Sequence, residues 1–332
     1  MPTPTFPYTR LRRNRKAEWS RKLVAEHSVL VRDLILPIFI MGGSARKEPI
    51  MTMPGVYRYS VDEAIKYAKS AHELGILAIM LFPQIDLKLK THGGIEAMNP
   101  ENLVCKAIRE IKANLPHLGV IVDVALDPYT SHGHDGITSD DGYVMNDLTI
   151  DSLCQQALLI AEAGADAVAP SDMMDGRVSK IRDCLEGNDF HNTQIIAYAA
   201  KYASSLFGPF RDAVGSMACL SGADKKNYQM DYANSDEAMA EIKMDINEGA
   251  DMVIIKPAIP YLDIIYRAKE RYNIPMIAYH VSGEYAMIKF AAQAGVIDEK
   301  SAFIEVFTSC KRAGARAIVT YAAVEVARWL SE

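Results

Sequence analysis

The sequence predicts an α/β protein with the fold of a (β/α)8 TIM barrel. Eight short runs rich in Val, Ile and Ala recur along the chain, and most of the gaps between them have helical periodicity. Near-continuous apolar strands are typical of a parallel sheet that is covered on both faces. The predicted strands are 34–40, 76–82, 119–126, 165–171, 194–200, 250–256, 275–282 and 316–322.

The segments between these strands carry helix signals. SVDEAIKYAKSAHELG (60–75) begins with a serine cap and an acidic first turn, and it ends at a glycine. The segments 152–166 and 235–251 follow the same plan, and both end in Gly-Ala-Asp directly before a strand. A doubly wound open sheet is the alternative. It usually has fewer strands, and its Gly-x-Gly-x-x-Gly motif is missing after the first strand of this sequence.

The chain divides into two predicted parts. Residues 1–33 precede the first strand and are partly amphipathic, so we expect an extended N-terminal arm that packs on a neighbouring subunit. A frayed tail is the alternative interpretation of this segment. Residues 34–332 are predicted to form the catalytic barrel.

Composition excludes several classes of protein. Of 332 residues, 49% are hydrophobic and 23% charged, and the net charge of -6 argues against nucleic acid as a partner. No apolar run approaches the roughly 20 residues of a membrane helix, and no apolar segment follows the basic N-terminus as in a secretory signal. The five cysteines are scattered without Cys-x-x-Cys spacing, which predicts reduced thiols and a cytoplasmic location.

Two lysines close apolar runs. Lys201 ends QIIAYAAK, and Lys256 ends ADMVIIK. Burying an ammonium group is costly unless it is paired or neutralised, and a neutral lysine amine forms Schiff bases with carbonyl compounds. One such lysine suggests an aldolase-like enzyme, whereas two suggest an enzyme that joins two carbonyl substrates. The alternative is that both lysines are salt-bridged or extend to solvent.

Further polar residues follow the predicted strands. The reacting groups of a barrel enzyme lie at the C-terminal ends of its strands. Asp123 and Asp127 fall at the end of the third strand, and Ser171 falls at the end of the fourth. Ser282 and Tyr321 fall at the ends of the seventh and eighth. These residues are therefore candidates for the active site.

The loop DVALDPYTSHGHDG (123–136) adds His132, His134 and Asp135. Its carboxylates could hold a hard cation such as magnesium or orient an amine. Its histidines together with carboxylates could also form a transition-metal site. A glycine-rich loop whose polar residues cap the next helix is the plain alternative.

A basic stretch follows Lys201. GPFRDA contributes Arg211, and SGADKKNYQM contributes Lys225 and Gln229. Arginine binds carboxylates through two parallel hydrogen bonds, so the stretch suits a substrate that carries a carboxylate. A solvated surface run of charge is the alternative.

Several of these segments together resemble the porphobilinogen synthase (5-aminolevulinate dehydratase) family. The resemblance extends over about residues 34–325. It implies a barrel, a homo-octamer held by N-terminal arms, no organic cofactor, and condensation of two 5-aminolevulinate molecules to porphobilinogen in tetrapyrrole (heme) biosynthesis. The matching segments are DVALDPYTSHGHDG, APSDMMDGRV, AKYASSLFGPFRDA, YQMDYANSDEA, DMVIIKPAIPYLD, YHVSGEYAM and TYAA.

The resemblance also implies roles for individual residues. Lys256 matches the lysine that forms the Schiff base with the P-site substrate, and Lys201 matches the second active-site lysine. Ser282 and Tyr321 match the pair that holds the P-site carboxylate. The groups that match the other substrate site, the A site, are Arg211, Lys225 and Gln229. The full set of predicted catalytic residues is Lys201, Lys256, Asp123, Asp127, Asp135 and Ser171.

The expected metal follows from a difference between this chain and the zinc-using members of the family. Members that use zinc carry three cysteines in the third-strand loop, where this chain has Ala125, Asp127 and Asp135. Thiolates select zinc, and carboxylates favour hard cations, so we expect a zinc-independent enzyme. In magnesium-responsive members a glutamate on the helix before the sixth strand helps hold an allosteric ion, and it matches Glu241.

Two other functions compete with this interpretation. A Schiff-base aldolase, or a lyase similar to dihydrodipicolinate synthase, needs only one imine-forming lysine and leaves the YTSHGHDG loop unexplained. A non-catalytic octameric scaffold or sensor would be favoured by loss of a lysine, and both lysines are present.

Overall fold

Parallel strands close into a barrel in the computed structural model, which describes residues 5–216, 219 and 224–332. The strands are Leu34–Met41 (β1), Lys47–Pro49 (β2), Tyr57–Tyr59 (β3), Ala78–Gln84 (β4), Gly119–Val124 (β5), Ala167–Pro170 (β6), Gln194–Lys201 (β7), Met252–Lys256 (β8), Met276–His280 (β9) and Ala317–Thr320 (β10). All but β2 and β3 form the barrel wall. Each wall strand pairs in parallel with the next, and β10 pairs with β1 to close the ring. The predicted fold is confirmed.

Helices follow the strands around the outside of the barrel. The described α-helices are Glu18–Leu23 (α1), Val61–Glu73 (α2), Leu103–Asn114 (α3), Asn146–Glu162 (α4), Arg177–Glu186 (α5), Gly208–Ala213 (α6), Asp236–Asn247 (α7), Leu262–Arg271 (α8), Ser282–Gln293 (α9), Glu299–Ala313 (α10) and Ala323–Ser331 (α11). In α3, Val104, Ile108 and Ile111 are buried at helical spacing. The Asn102 side chain accepts a hydrogen bond from the Cys105 amide and caps the start of this helix.

The core lies inside the barrel and between the barrel and its helices. All eight residues of β1 are buried, as expected for a strand covered on both faces. Phe39 in this strand stacks on the ring of Tyr321, with centroids 5.6 Å apart. Aromatic rings therefore fill the barrel below the rim where the strands end.

Four strands that carry predicted site residues end earlier than the sequence suggested. Asp127 lies in the loop after β5. The strand has already ended at Leu126, because the Leu126 amide bonds to the carbonyl of Asp135 in the same loop and not to a neighbouring strand. Ser282 is the first residue of α9, and Tyr321 lies in the turn after β10. The observed last strand residues are Val124, Pro170, His280 and Thr320, so Ser171 also follows its strand.

A short hairpin that the sequence analysis missed is inserted between β1 and α2. Its strands β2 and β3 pair antiparallel, with Lys47 opposite Tyr59. Ser60 lies at the predicted cap position before α2, but its hydroxyl makes no capping hydrogen bond and instead accepts one from the Arg46 amide at 2.9 Å. This bond joins the residue after β3 to the residue before β2 and closes the base of the hairpin.

The residues before β1 lie largely apart from the barrel. They include a 3-10 helix, Leu11–Arg15, and the short helix α1. Large apolar side chains are exposed here, including Tyr8 at 83% and Trp19 at 70%. The division at residue 33 and the packing of this arm on another subunit stay predictions. None of the described helices has both the length and the apolar character to cross a membrane.

Candidate active site

The two predicted lysines lie side by side at the C-terminal rim of the barrel. Lys201 ends β7, Lys256 ends β8, and their Cα atoms are partners in the parallel ladder. Neighbouring strands are about 4.8 Å apart. The register shifts between Ala197 and Ala200, because β7 contains one more residue than β8 over this stretch. This extra residue brings Lys201 opposite Lys256.

Lys256 is enclosed by aromatic rings. The residue is 4% exposed, and its Nζ lies 4.6 Å from the ring centre of Tyr279 and 4.9 Å from that of Phe210. The rings of Tyr198 and Phe207 are 5.2 and 5.0 Å away. Burial, and then the charge of Lys201, lower the pKa of Lys256 to about 7. A neutral amine is therefore well populated near neutral pH.

Lys201 is buried in a polar network. Its Nζ donates to the carbonyl of Ser171 and lies 3.3 Å from Oδ2 of Asp135. The other oxygen of Asp135 accepts a hydrogen bond from Lys225 at 2.8 Å, and Lys225 also reaches Asp127 at 3.3 Å. Asp135 thus bridges the second lysine of the rim and the predicted A-site lysine.

The charges in this network keep the carboxylate of Asp135 and the ammonium group of Lys225 ionised. Burial alone would raise the pKa of Asp135, but Lys201 and Lys225 hold it well below its usual range. Burial opposes the charge of Lys225, yet Asp127 and Asp135 raise its pKa overall. The pKa of Asp127 is raised by burial, and Asp135 adds to this effect. Lys225 therefore remains charged.

Asp123 lies on β5 with a buried oxygen, Oδ1, that has no hydrogen-bond partner among the described residues. Burial raises its pKa to about 7, although Lys201 and Lys256 lower it. The carboxyl group can therefore hold or release a proton near neutral pH. Ser171 takes part in the network through its carbonyl, which the sequence alone did not indicate.

The A-site candidates are only partly brought together. Gln229 donates to Asp135 at 3.2 Å, and its buried Oε1 has no partner in the described part of the chain. Lys225 lies in the same network. Arg211 lies on α6, and in the described ranges its guanidinium forms no hydrogen bond or ion pair. Residues 217, 218 and 220–223, between Arg211 and Lys225, are outside the described residues.

The P-site candidates are buried but not bonded to each other. The hydroxyl of Ser282 accepts a hydrogen bond from the Phe210 amide at 3.0 Å and donates to the Leu206 carbonyl at 3.3 Å. The hydroxyl of Tyr321 lies 3.2 Å from that of Tyr279. Both hydroxyls are donors suited to a carboxylate.

The histidines of the 123–136 loop are engaged in holding its shape. His132 contacts the carbonyl of His92 through Nε2 at 3.1 Å, and its Nδ1 accepts a hydrogen bond from the His134 amide at 3.1 Å. His134 contacts the hydroxyl of Tyr228 at 3.3 Å. No group of three or more His, Cys, Asp or Glu side chains in the described residues is arranged to hold a metal ion.

Glu241 lies outside this site, on α7. With Asp175 and Glu237 it lines a cavity of about 240 Å³, whose wall also includes Tyr228 and Gln229. Burial raises the pKa of Glu241 to about 7. The cavity thus adjoins the segment that carries the A-site candidates.

Two further features were not identified from the sequence. Arg177 is fully buried, and both oxygens of Asp245 accept hydrogen bonds from it at 3.0 Å. Glu284 is also fully buried and accepts backbone hydrogen bonds near Lys256. The sequence gives one signal for Arg177 and Glu284. Each is a charged residue within a segment that has apolar helical periodicity, RVSKIRDCLE and SGEYAMIKF.

The fold and the paired lysines are typical of (β/α)8-barrel lyases in which a lysine amine forms a Schiff base with a carbonyl substrate. The chain belongs to the family described as delta-aminolevulinic acid dehydratase, whose model matches residues 8–329. The resemblance inferred from the sequence motifs is confirmed.

Individual relatives agree with this assignment. The delta-aminolevulinic acid dehydratase of Bradyrhizobium diazoefficiens is 53% identical over 321 residues, which cover 97% of this chain and 90% of the relative. The delta-aminolevulinic acid dehydratase of Synechocystis is 48% identical over 330 residues, which cover 98% of this chain and 100% of the relative. The crystal structure of the Toxoplasma gondii ME49 enzyme in complex with the reaction product porphobilinogen is 49% identical, with a TM-score of 0.95 over 97% of this chain and 91% of that one.

Proposed function

We propose that this protein is a porphobilinogen synthase, which condenses two molecules of 5-aminolevulinate to porphobilinogen with loss of two waters. The observation that carries the proposal is the lysine pair in register at the barrel rim, with the pKa of Lys256 lowered to about 7. Membership of the dehydratase family and the product-bound relative support it. An aldolase would leave the second buried lysine without a role.

The proposed chemistry begins with the neutral amine of Lys256. It attacks the ketone carbon of one substrate molecule, and loss of the first water gives an imine. Asp123 is suited to exchange protons in this step, because its pKa is also about 7. Ring closure with the second substrate releases the second water and regenerates the lysine. Burial, helped by the charge of Lys201, lowers the pKa of Lys256 to about 7, so that the neutral amine is available in the free enzyme.

Two carboxylate sites would orient the substrates. Ser282 and Tyr321 are proposed to hold the P-site carboxylate, and Arg211 and Lys225 the A-site one. An ammonium group has three N–H donors, so Lys225 can contact a substrate while it remains bonded to its two aspartates. The unpartnered Oε1 of Gln229 is suited to accept a hydrogen bond from a substrate amine.

Borohydride trapping tests the lysine roles. With 5-aminolevulinate, wild-type protein should form a pyrrole and gain mass mainly at Lys256 after reduction. Lys256→Ala should lose essentially all covalent catalysis, and Lys201→Ala should lose most of it. Pyruvate-dependent aldol activity, or no label on either lysine, would overturn the proposal.

The proposed metal is magnesium, acting away from the reacting atoms. Ala125 offers no ligand, and Asp127 and Asp135 are already bonded to lysines, so the residues at the expected zinc position do not suit zinc. The cavity lined by Asp175, Glu237 and Glu241 offers carboxylate oxygens, the kind of ligand that a hard cation prefers, but in the described residues these side chains are not gathered into a three-ligand site. Bound there, magnesium would neutralise these carboxylates beside the A-site segment.

A magnesium titration tests this assignment by stability as well as by activity. Magnesium should raise the Tm and the activity of wild-type protein, which should stay active with a zinc-specific chelator. Glu241→Ala should lose both responses, whereas Glu248→Ala, just beyond α7 and outside the cavity lining, should retain them. Restoration of metal-stripped protein by zinc alone would contradict the assignment.

The assembly and location are proposals of the same kind. A homo-octamer joined through residues 1–33 is supported by the exposed apolar side chains of that segment. A cytoplasmic location is supported by the scattered cysteines of the sequence. Fluorescent tagging in cells tests the location.

A further inference from the structure

The carboxylate of Glu284 joins two segments that carry different parts of the proposed site. Its Oε1 accepts a hydrogen bond from the Ile259 amide at 2.5 Å, and its Oε2 lies 3.4 Å from the Ala258 amide. Both amides belong to the loop that directly follows Lys256. Oε2 also accepts a hydrogen bond from the Val281 amide at 2.6 Å, next to Ser282.

Helix capping explains only one of these bonds. A glutamate at the third position of a helix commonly accepts a hydrogen bond from the residue that precedes the helix, as Glu284 does from Val281. The bonds to Ala258 and Ile259 come from another strand-loop unit, 25 residues or more away in sequence. A cap alone does not require them.

The surroundings make this carboxylate costly to bury. Glu284 is 0% exposed, and in the described part of the chain it forms no ion pair. The three backbone amides are the groups that compensate its burial. Replacing Glu284 should therefore mainly disturb how the loop after Lys256 is placed relative to the start of α9.

We propose that Glu284 is a positioning residue that fixes the imine-forming amine of Lys256 relative to the carboxylate-binding hydroxyl of Ser282. A substrate held at Ser282 must present its ketone to Lys256 at reacting distance. Misplacement by about 1 Å can cost about a hundredfold in rate. The inference rests on the proposed roles of Lys256 and Ser282.

Glu284→Gln is the main test, because glutamine keeps the volume but places an NH2 group against the backbone donors. Imine formation is measured by borohydride trapping with levulinate, which has the ketone and the carboxylate of the substrate without its amine. The trapping rate at saturating levulinate should fall about ten- to a hundredfold, and half-saturation should need more levulinate. Glu284→Ala should be worse than Glu284→Gln.

Asp298→Asn is the matched control. Asp298 caps α10 through the Ser301 amide at 2.8 Å and contacts nothing in the site. Asparagine keeps the capping oxygen, so this variant should leave the trapping rate and half-saturation unchanged and alter Tm only slightly. Trapping by Glu284→Gln that equals wild type in rate and half-saturation would overturn the inference, whatever its Tm.

Val281→Pro is the second variant, to be used if Glu284→Gln does not fold. Of the three hydrogen bonds to Glu284, it removes the one from the Val281 amide, next to Ser282, and leaves those from Ala258 and Ile259. The φ of Val281 is -77°, which proline adopts. This variant should need more levulinate for half-saturation and keep its saturating trapping rate within about twofold. Unchanged half-saturation would contradict the inference. Failure of wild-type protein to make pyrrole from 5-aminolevulinate would instead reject the proposed function.

Discussion

Opposing effects set the pKa of the Lys256 amine. Aromatic faces attract an ammonium ion, and four such rings surround the Nζ of Lys256. Burial and the charge of Lys201 outweigh them and lower the pKa to about 7. The neutral amine is therefore far more populated near neutral pH than that of an ordinary lysine, whose pKa is about 10.4.

This balance predicts a pH dependence of imine formation. The trapping rate should rise as pH increases through about 7 and level off where Lys256 is fully deprotonated. Lys201→Ala removes the neighbouring cation and should move the midpoint to higher pH, whereas Lys201→Arg should leave it near the wild-type value. The measurement is the rate of borohydride trapping as a function of pH. A midpoint near 10 in wild-type protein would contradict the pKa assignment.

A second residue-level prediction concerns the hydroxyl of Tyr321. A hydrogen bond to a charged group contributes about 1.5–3 kcal/mol, so Tyr321→Phe should raise the KM for 5-aminolevulinate about ten- to a hundredfold. Tyr272→Phe is the control, because its hydroxyl donates to the Met239 carbonyl at 2.7 Å. Steady-state kinetics compare the two variants. Unchanged kinetics in Tyr321→Phe and Ser282→Ala would remove the P-site assignment.

At the scale of elements, the β2–β3 hairpin holds one side of the site in place. Arg58 on β3 donates to the carbonyls of Ala213 and Asp212 at 2.6 and 2.7 Å. These carbonyls end α6, where a cation is favourable because the helix dipole is negative. The same helix carries Phe210, which contacts Lys256, and the A-site candidate Arg211. The hairpin therefore supports the helix that carries candidate groups of both proposed substrate sites.

Arg58→Ala should loosen α6. Loss of two hydrogen bonds from a charged donor, about 1.5–3 kcal/mol each, should increase amide exchange in residues 208–216 by tenfold or more, with a higher KM. Arg46→Ala is the control, because Arg46 lies just before the hairpin and is exposed beside Glu48. Hydrogen exchange with mass spectrometry measures the difference. Equal exchange in the two variants would show that Arg58 does not hold the helix.

At the scale of the whole molecule, the N-terminal segment has too little contact with its own barrel to be covered. Phe6, Leu11, Trp19 and Leu23 are between 70% and 77% exposed. Several large apolar side chains exposed on one short segment support the proposal that this segment binds another protein surface. A second copy of this chain is the partner that the proposed octamer provides.

The corresponding prediction concerns assembly. Trp19→Ser combined with Leu23→Ser should shift the protein from the octamer to smaller species, because apolar burial of about 25 cal/mol per Å² is lost at each contact. Met51→Ser, which changes a side chain that is 80% exposed in the turn between β2 and β3, should keep the wild-type assembly. Native mass spectrometry distinguishes these results. An unchanged octamer in the double variant would show that the arm does not hold it.

The sequence by itself determined the barrel and the two lysines. Eight apolar runs of strand length, separated by helical segments, leave a closed parallel sheet as the arrangement that buries all of them. Lys201 and Lys256 could be identified because an ammonium group at the end of a buried strand is costly. The strand ends also indicated Ser282 and Tyr321, and the basic stretch after Lys201 indicated Arg211 and Lys225. The family motifs added which substrate site each of them would serve.

Only the tertiary structure decided how these groups interact. The extra residue in β7 that aligns Lys201 with Lys256 leaves no mark in the apolar pattern. Asp135 bridges Lys201 and Lys225 across 66 and 90 residues of chain, and Glu284 reaches the loop after Lys256 across 25 or more. Sequence patterns record which side chains are apolar over a few turns. Contacts between distant segments depend on strand register and on where each strand stops, and both are set by packing of the closed barrel.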